Sequence, residues 1–151
     1  MSQAEEKENM KTEKIDALVK MAVEADLKGL DFLSQFTYAQ LAEGYNGIGP
    51  EFLPQRVRER VSEILEIFEP AALIHDMRYS VGDGCRRCFY YANWEFRENC
   101  RKLANRAYPW YSWKRYRART VADWLVEAVS SDAGWIAWQD ASEKHAAKEA
   151  R

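Results

Sequence analysis

Pro70-Ala71-Ala72-Leu73-Ile74-His75-Asp76-Met77-Arg78-Tyr79-Ser80-Val81 is the stretch on which the reading of this chain turns. Proline suits the first turn of a helix, where its missing N–H costs nothing. Gly82-Asp83-Gly84 follows and stops a helix. Read as a helix over 70–81, the stretch puts His75 and Tyr79 on one face, a turn apart. Asp76 then projects about 100° further round the axis. A histidine beside a carboxylate on a rigid element is either a base next to a metal ligand or an ordinary polar pair at a helix edge. The flanking sequence has to separate the two.

Immediately upstream, Val57, Val61, Ile64, Leu65 and Phe68 form the apolar stripe of a helix from about Pro54 to Phe68, which Pro70 is expected to end. Before it comes Gly44-Tyr45-Asn46-Gly47-Ile48-Gly49-Pro50. Its glycines and proline exclude a helix interior and predict a loop whose backbone can approach a ligand closely. Downstream, a long helix is predicted from about Arg86 to Arg106, with Phe89, Ala92, Asn93, Phe96, Cys100 and Leu103 on one face. The short turn before it makes it antiparallel to the His75 helix.

Further out, residues 1–11 read as a charged, flexible arm. Thr12 is a candidate N-cap for a helix carrying Ile15, Leu18, Val19, Ala22 and Ala25. Gly29 interrupts that run, and a second helical stretch covers about Leu30 to Leu41. Tyr108-Pro109-Trp110 breaks the long helix, and two more are expected, from Arg119 to Val129 and from Ala133 onward. Trp124, Trp135 and Trp138 are expected in the core. No alternating strand pattern and no repeat occurs. The expectation is one all-α domain over 1–151, with a core at 44–104 and a C-terminal helical extension at 105–151.

At 47% hydrophobic and 13% aromatic, the chain can build a real core. A net charge of −2 gives no global reason to expect specific nucleic-acid binding. The average hides an asymmetry: Arg97 to Arg119 holds eight Lys/Arg against Glu98 alone, interleaved with Tyr108, Trp110, Tyr111, Trp113 and Tyr116. That stretch can be core plus a solvated basic face, a membrane-interface patch, or a stacking surface for single-stranded nucleic acid. Three cysteines without a disulfide framework fit a reducing compartment. Cys85 and Cys88 have zinc-type spacing, but only Cys100 and His145 could join them, so free thiols are the simpler reading. MSQAEEKENMKTEK lacks the apolar segment of a signal peptide, and no apolar run is long enough to span a membrane. Synthesis in the cytoplasm is the expectation.

The loop, the His75 helix and the Asn93 helix together suggest a chemistry. Calcium takes oxygen ligands, many of them backbone carbonyls and carboxylates. A glycine-rich loop can supply carbonyls, and Asp76 can balance the charge. His75, in its neutral form, can take a proton from water polarised near that metal. Its other nitrogen then needs an acceptor to fix the tautomer. The amide oxygen of Asn93 can serve, and Tyr79 can donate to the same group.

These residues carry a resemblance. Tyr45-Asn46-Gly47-Ile48-Gly49 resembles the calcium loop of phospholipase A2, Tyr-Cys-Gly-x-Gly. His75-Asp76-Met77-Arg78-Tyr79 is similar to that family's HDxxY, and Ala92-Asn93-Trp94-Glu95-Phe96 to its AD-x-x-F element. Order and spacing, with Asn99 after Phe96, resemble the short, disulfide-poor phospholipase A2-like proteins of phages, prophages and viruses. The resemblance covers about Gly44 to Leu103.

It implies an antiparallel helix pair carrying the site. It also implies calcium held by the carbonyls of Tyr45, Gly47 and Gly49 with the Asp76 carboxylate. His75 would activate water against the sn-2 ester of a phospholipid, the Gly47 N–H would stabilise the oxyanion, and Tyr79 would support the arrangement. Two departures stand out: the family's orienting aspartate is Asn93 here, and the usual cysteines are missing. The implied function is calcium-dependent hydrolysis of phospholipid esters at a membrane surface. The alternative is a non-catalytic descendant that keeps the scaffold as a structural or interaction protein, associated with a virion and other phage or viral proteins.

Overall fold

The computed structural model describes residues 2–48 and 54–151. Among them it has seven α-helices and no strand: α1 (Gln3–Glu24), α2 (Leu30–Leu33), α3 (Tyr38–Gly44), α4 (Gln55–Ser80), α5 (Arg86–Ala107), α6 (Trp113–Val129) and α7 (Asp132–Glu149). The expected all-α class is what the structure has.

Helix α4 is the axis. Phe68, Ala71, Leu73 and Ile74 are at most 1% exposed, so the helix is buried nearly all round in its second half. It packs against α5, and also against α1, α3, α6 and α7. The α4–α5 pair is antiparallel, since Tyr79 meets Phe89 while His75 meets Phe96. Every residue predicted for the inner face of α5 is buried, from Phe89 to Leu103.

Four boundaries differ from the sequence reading. Helix α4 runs through Pro70 without ending. An interior proline costs about 3 kcal/mol. Burying Phe68, Leu73 and Ile74 returns roughly 1.5–3 kcal/mol each, so the packing wins. Helix α1 starts at Gln3, not near Thr12. Ser2 and Glu5 close a capping box there, with Glu5 N–H donating to Ser2 Oγ at 3.3 Å and Ser2 N–H to Glu5 Oε2 at 2.8 Å. The Thr12 hydroxyl donates back to the Glu8 carbonyl instead, at 3.0 Å. The stretch from Leu30 to Leu41 is two short helices, with Thr37 capping the second. Helix α6 begins at Trp113, capped by Ser112, ahead of the expected Arg119.

Of the three expected core tryptophans, Trp138 is buried at 2% and Trp135 packs half-buried beside it. Trp124 stands out at 51% exposure. Trp138, Trp135, Phe89 and Tyr79 form an aromatic cluster that ties α7 to the α4–α5 pair.

Two polar clamps brace this packing, one from α5 to the turn after α1 and one between α4 and α5 themselves. Asn99, fully buried, accepts from Lys28 N–H at 2.7 Å and donates to the Lys28 carbonyl at 2.9 Å. Glu95, 1% exposed, takes a two-pronged bond from Arg78 at 3.0 and 2.9 Å. The Arg78 guanidinium also lies 3.8 Å from the centre of the Phe32 ring.

Candidate active site

Helices α3, α4, α6 and α7 and the loop after α3 enclose a cavity of about 1040 Å³. His75, Asp76 and Tyr79 from α4 line it, with Asn46 and Gly47 from the loop. The i, i+4 spacing brings the His75 and Tyr79 rings together, tilted at 41° with centres 4.4 Å apart.

His75 Nε2 lies 2.9 Å from Asn93 Oδ1. The Tyr79 hydroxyl donates to the same oxygen at 3.1 Å. The Asn93 amide NH₂ donates to the Val129 carbonyl at 3.3 Å, which fixes which end of the amide faces His75. An amide oxygen only accepts, so Nε2 carries the proton and Nδ1 keeps its lone pair. No group among the described residues hydrogen-bonds Nδ1. Burial lowers the His75 pKa to about 4, and the Asn93 bond opposes that only in part. The ring is therefore neutral at physiological pH.

Asp76 reaches back to the loop. Its Oδ2 accepts from the N–H groups of Asn46 at 2.9 Å and Gly47 at 3.1 Å. Gly47 adopts φ +80°, which glycine takes without strain. Burial raises the Asp76 pKa to about 7, against the pull of these two N–H groups. The loop thus turns donors, not carbonyls, toward Oδ2, and the Gly47 N–H is occupied by Asp76. Oδ1 takes no hydrogen bond among the described residues. Tyr45 sits beside this pair, with its hydroxyl on Glu69 at 3.1 Å and its pKa raised by burial. Gly49 lies outside the described residues.

The sequence-predicted residues His75, Asn93, Tyr79, Asp76, Gly47 and Tyr45 are thereby brought to one region. Missed was the wall formed by α7: Asp140, Lys144, His145 and Lys148 also line the cavity. Lys148 is paired with Glu43 at 3.1 Å and His145 with Glu149 at 3.4 Å. The tail lacks an apolar stripe, so nothing in its pattern signals a wall. Cys100 is buried in the main core, away from any cluster with Cys85 and Cys88.

Comparison with protein-family models, curated proteins and solved structures finds no match for this chain.

Proposed function

We propose that the chain is a calcium-dependent, phospholipase A2-like hydrolase of phospholipid esters, working at a membrane surface. The observation that carries this reading is the His75–Asn93 bond, with Nδ1 left unbonded in a cavity that also holds Asp76. On this reading α4 and α5 would be the antiparallel helix pair of that family.

Asp76 suits a hard cation, while the loop would have to turn carbonyls toward it in place of the two N–H groups. Asp76 is a largely buried carboxylate with one oxygen unbonded, and among the described residues no cation pairs with it. Asp76 with the carbonyls of Tyr45 and Gly47 would hold calcium, which when bound supplies Lewis-acid polarisation of an ester carbonyl and of water. His75 Nδ1 accepts the proton of the attacking water. The Nε2–H bond to Asn93 holds the ring, and Tyr79 steadies the same oxygen. Asn93 offers the imidazolium a dipole in place of a charge, so the base is weaker than one backed by aspartate. For the Gly47 N–H to meet a developing oxyanion, it must leave Asp76 Oδ2. Exposed Trp110, Tyr111, Trp113 and Tyr116, set in the basic stretch, support contact with a lipid headgroup region.

One observation favours the non-catalytic alternative. The Val129 carbonyl takes the Asn93 NH₂ at 3.3 Å, a bond that only an amide at residue 93 can give. Fatty-acid release from phospholipid vesicles separates the two readings. The enzyme releases fatty acid with calcium and stops in excess chelator or as His75→Ala. Absence of release at saturating calcium would leave the scaffold reading.

A further inference from the structure

Outside the cavity, two thiols meet at the start of α5. Cys85 is the N-cap residue of α5 and Cys88 stands one turn further on. Their sulfurs and an Asp83 carboxylate oxygen all lie within 4.8 Å of one another. The Cys85 N–H donates to Asp83 Oδ1 at 2.9 Å, which fixes the N-cap backbone. Cys88 is exposed and Cys85 half-buried, whereas Cys100 is sealed in the core. The pair is also chemically unequal. Cys88 and the backbone of the first turn of α5 hold the Cys85 pKa below the usual thiol value. The neighbouring Cys85 side chain, followed by burial, pushes Cys88 up to about 11. A helix N-terminus favours the thiolate at the first of these positions.

We propose that Cys85 and Cys88 form a dithiol that exchanges with low-molecular-weight disulfides, Cys85 attacking and Cys88 resolving. The Cys85 thiolate attacks one sulfur of the external disulfide, whose S–S bond breaks and expels one thiolate. Cys88 gives its proton to solvent and attacks Cys85 Sγ, and the second external thiolate leaves. Two external thiols are formed, the external disulfide is reduced, and the protein gains a Cys85–Cys88 disulfide. This reaction is independent of the ester chemistry proposed for the cavity.

The test incubates the full chain with oxidised glutathione, then measures intact mass and alkylation after denaturation. The wild type loses two of its three alkylable thiols and two hydrogens, and Cys100 stays reduced. Cys88→Ser keeps one glutathione on Cys85. Cys85→Ser reacts at Cys88 more slowly than Cys88→Ser reacts at Cys85, because the N-cap position of α5 favours a thiolate more than the position one turn further on. Circular dichroism verifies that both variants are folded. Three unreacted thiols, equal rates in the two variants, or a wild type stalled as a mixed disulfide would each overturn the proposal. So would zinc held on Asp83, Cys85 and Cys88 that blocks the exchange.

Discussion

Asn93→Asp is the most informative single change. Asn93 is 3% exposed and spends both ends of its amide: Oδ1 on His75 and Tyr79, the NH₂ on the Val129 carbonyl. Aspartate keeps the first two bonds and inverts the third, setting a carboxylate oxygen against a carbonyl oxygen. The lost bond and the two opposed oxygens cost about 2–3 kcal/mol together. In a chain of 151 residues that lowers the melting temperature by roughly 5–10 °C at pH 8. The new charge also acts on His75. A carboxylate in contact raises a partner's pKa by about 1–3 units, which moves His75 from about 4 to about 5–7. The stability loss therefore shrinks toward pH 5, where the carboxylate and imidazolium pair. Thermal unfolding at the two pH values and an NMR titration of His75 measure both effects. Per folded molecule, fatty-acid release should rise, because the base now has a charged partner. An unchanged melting temperature at pH 8 together with an unmoved His75 would refute the derived geometry.

The other expectations concern packing and linkage. Glu95→Ala strands Arg78 on its largely buried side and should cost about 2–4 kcal/mol in denaturant unfolding; a loss under about 1 kcal/mol would deny the clamp its role. Gly29 sits at φ +92° and a Cβ there would come within 2.9 Å of Ile74 and 3.0 Å of Glu95, so Gly29→Ala should destabilise by about 1–3 kcal/mol. A Gly29→Ala variant as stable as wild type would show that the turn sits elsewhere. His75 and Asp76 oppose each other in pH dependence. His75 falls from 6.5 to about 4 on folding, so its contribution is lost as pH drops through that window. Asp76 rises from 3.8 to about 7, so its contribution is lost as pH climbs through that one. Asp76→Asn should leave stability rising from pH 4 to 6.5, and His75→Gln should leave it falling from pH 4 to 7; denaturant midpoints that keep the wild-type slope in both variants would refute these assignments.

The parts that sequence pattern exposes are those with a strong local signal. The inner face of α5 repeats at helical spacing, and its pairing with α4 follows from the short turn, so the approach of His75 to Asn93 is legible. The capping box at Ser2 and Glu5 is also written in the chain. It is easily passed over because the turns after it are polar all round, and Thr12 stands nearer the first apolar residue. Pro70 misleads for the opposite reason: a local preference is overridden by burial that only the assembled neighbours supply. Glu95 and Arg78 give no sign of pairing, since their contact joins two helices whose relative rotation no single-helix pattern states. The direction of the loop after α3 is likewise hidden. Glycines announce that a backbone can come close, but not whether it presents N–H or carbonyl groups, and here two N–H groups meet Asp76.

Calcium titration by calorimetry, in buffers of different ionisation enthalpy, addresses that carboxylate most directly. Binding requires Asp76 ionised, and its proton leaves near pH 7 in the free protein. The site as proposed takes one calcium per chain, releasing about 0.9 proton at pH 6 and about half a proton at pH 7, and Asp76→Asn loses both the binding and the release. No saturable binding at millimolar calcium, or equal binding by Asp76→Asn, would contradict a calcium site at this loop.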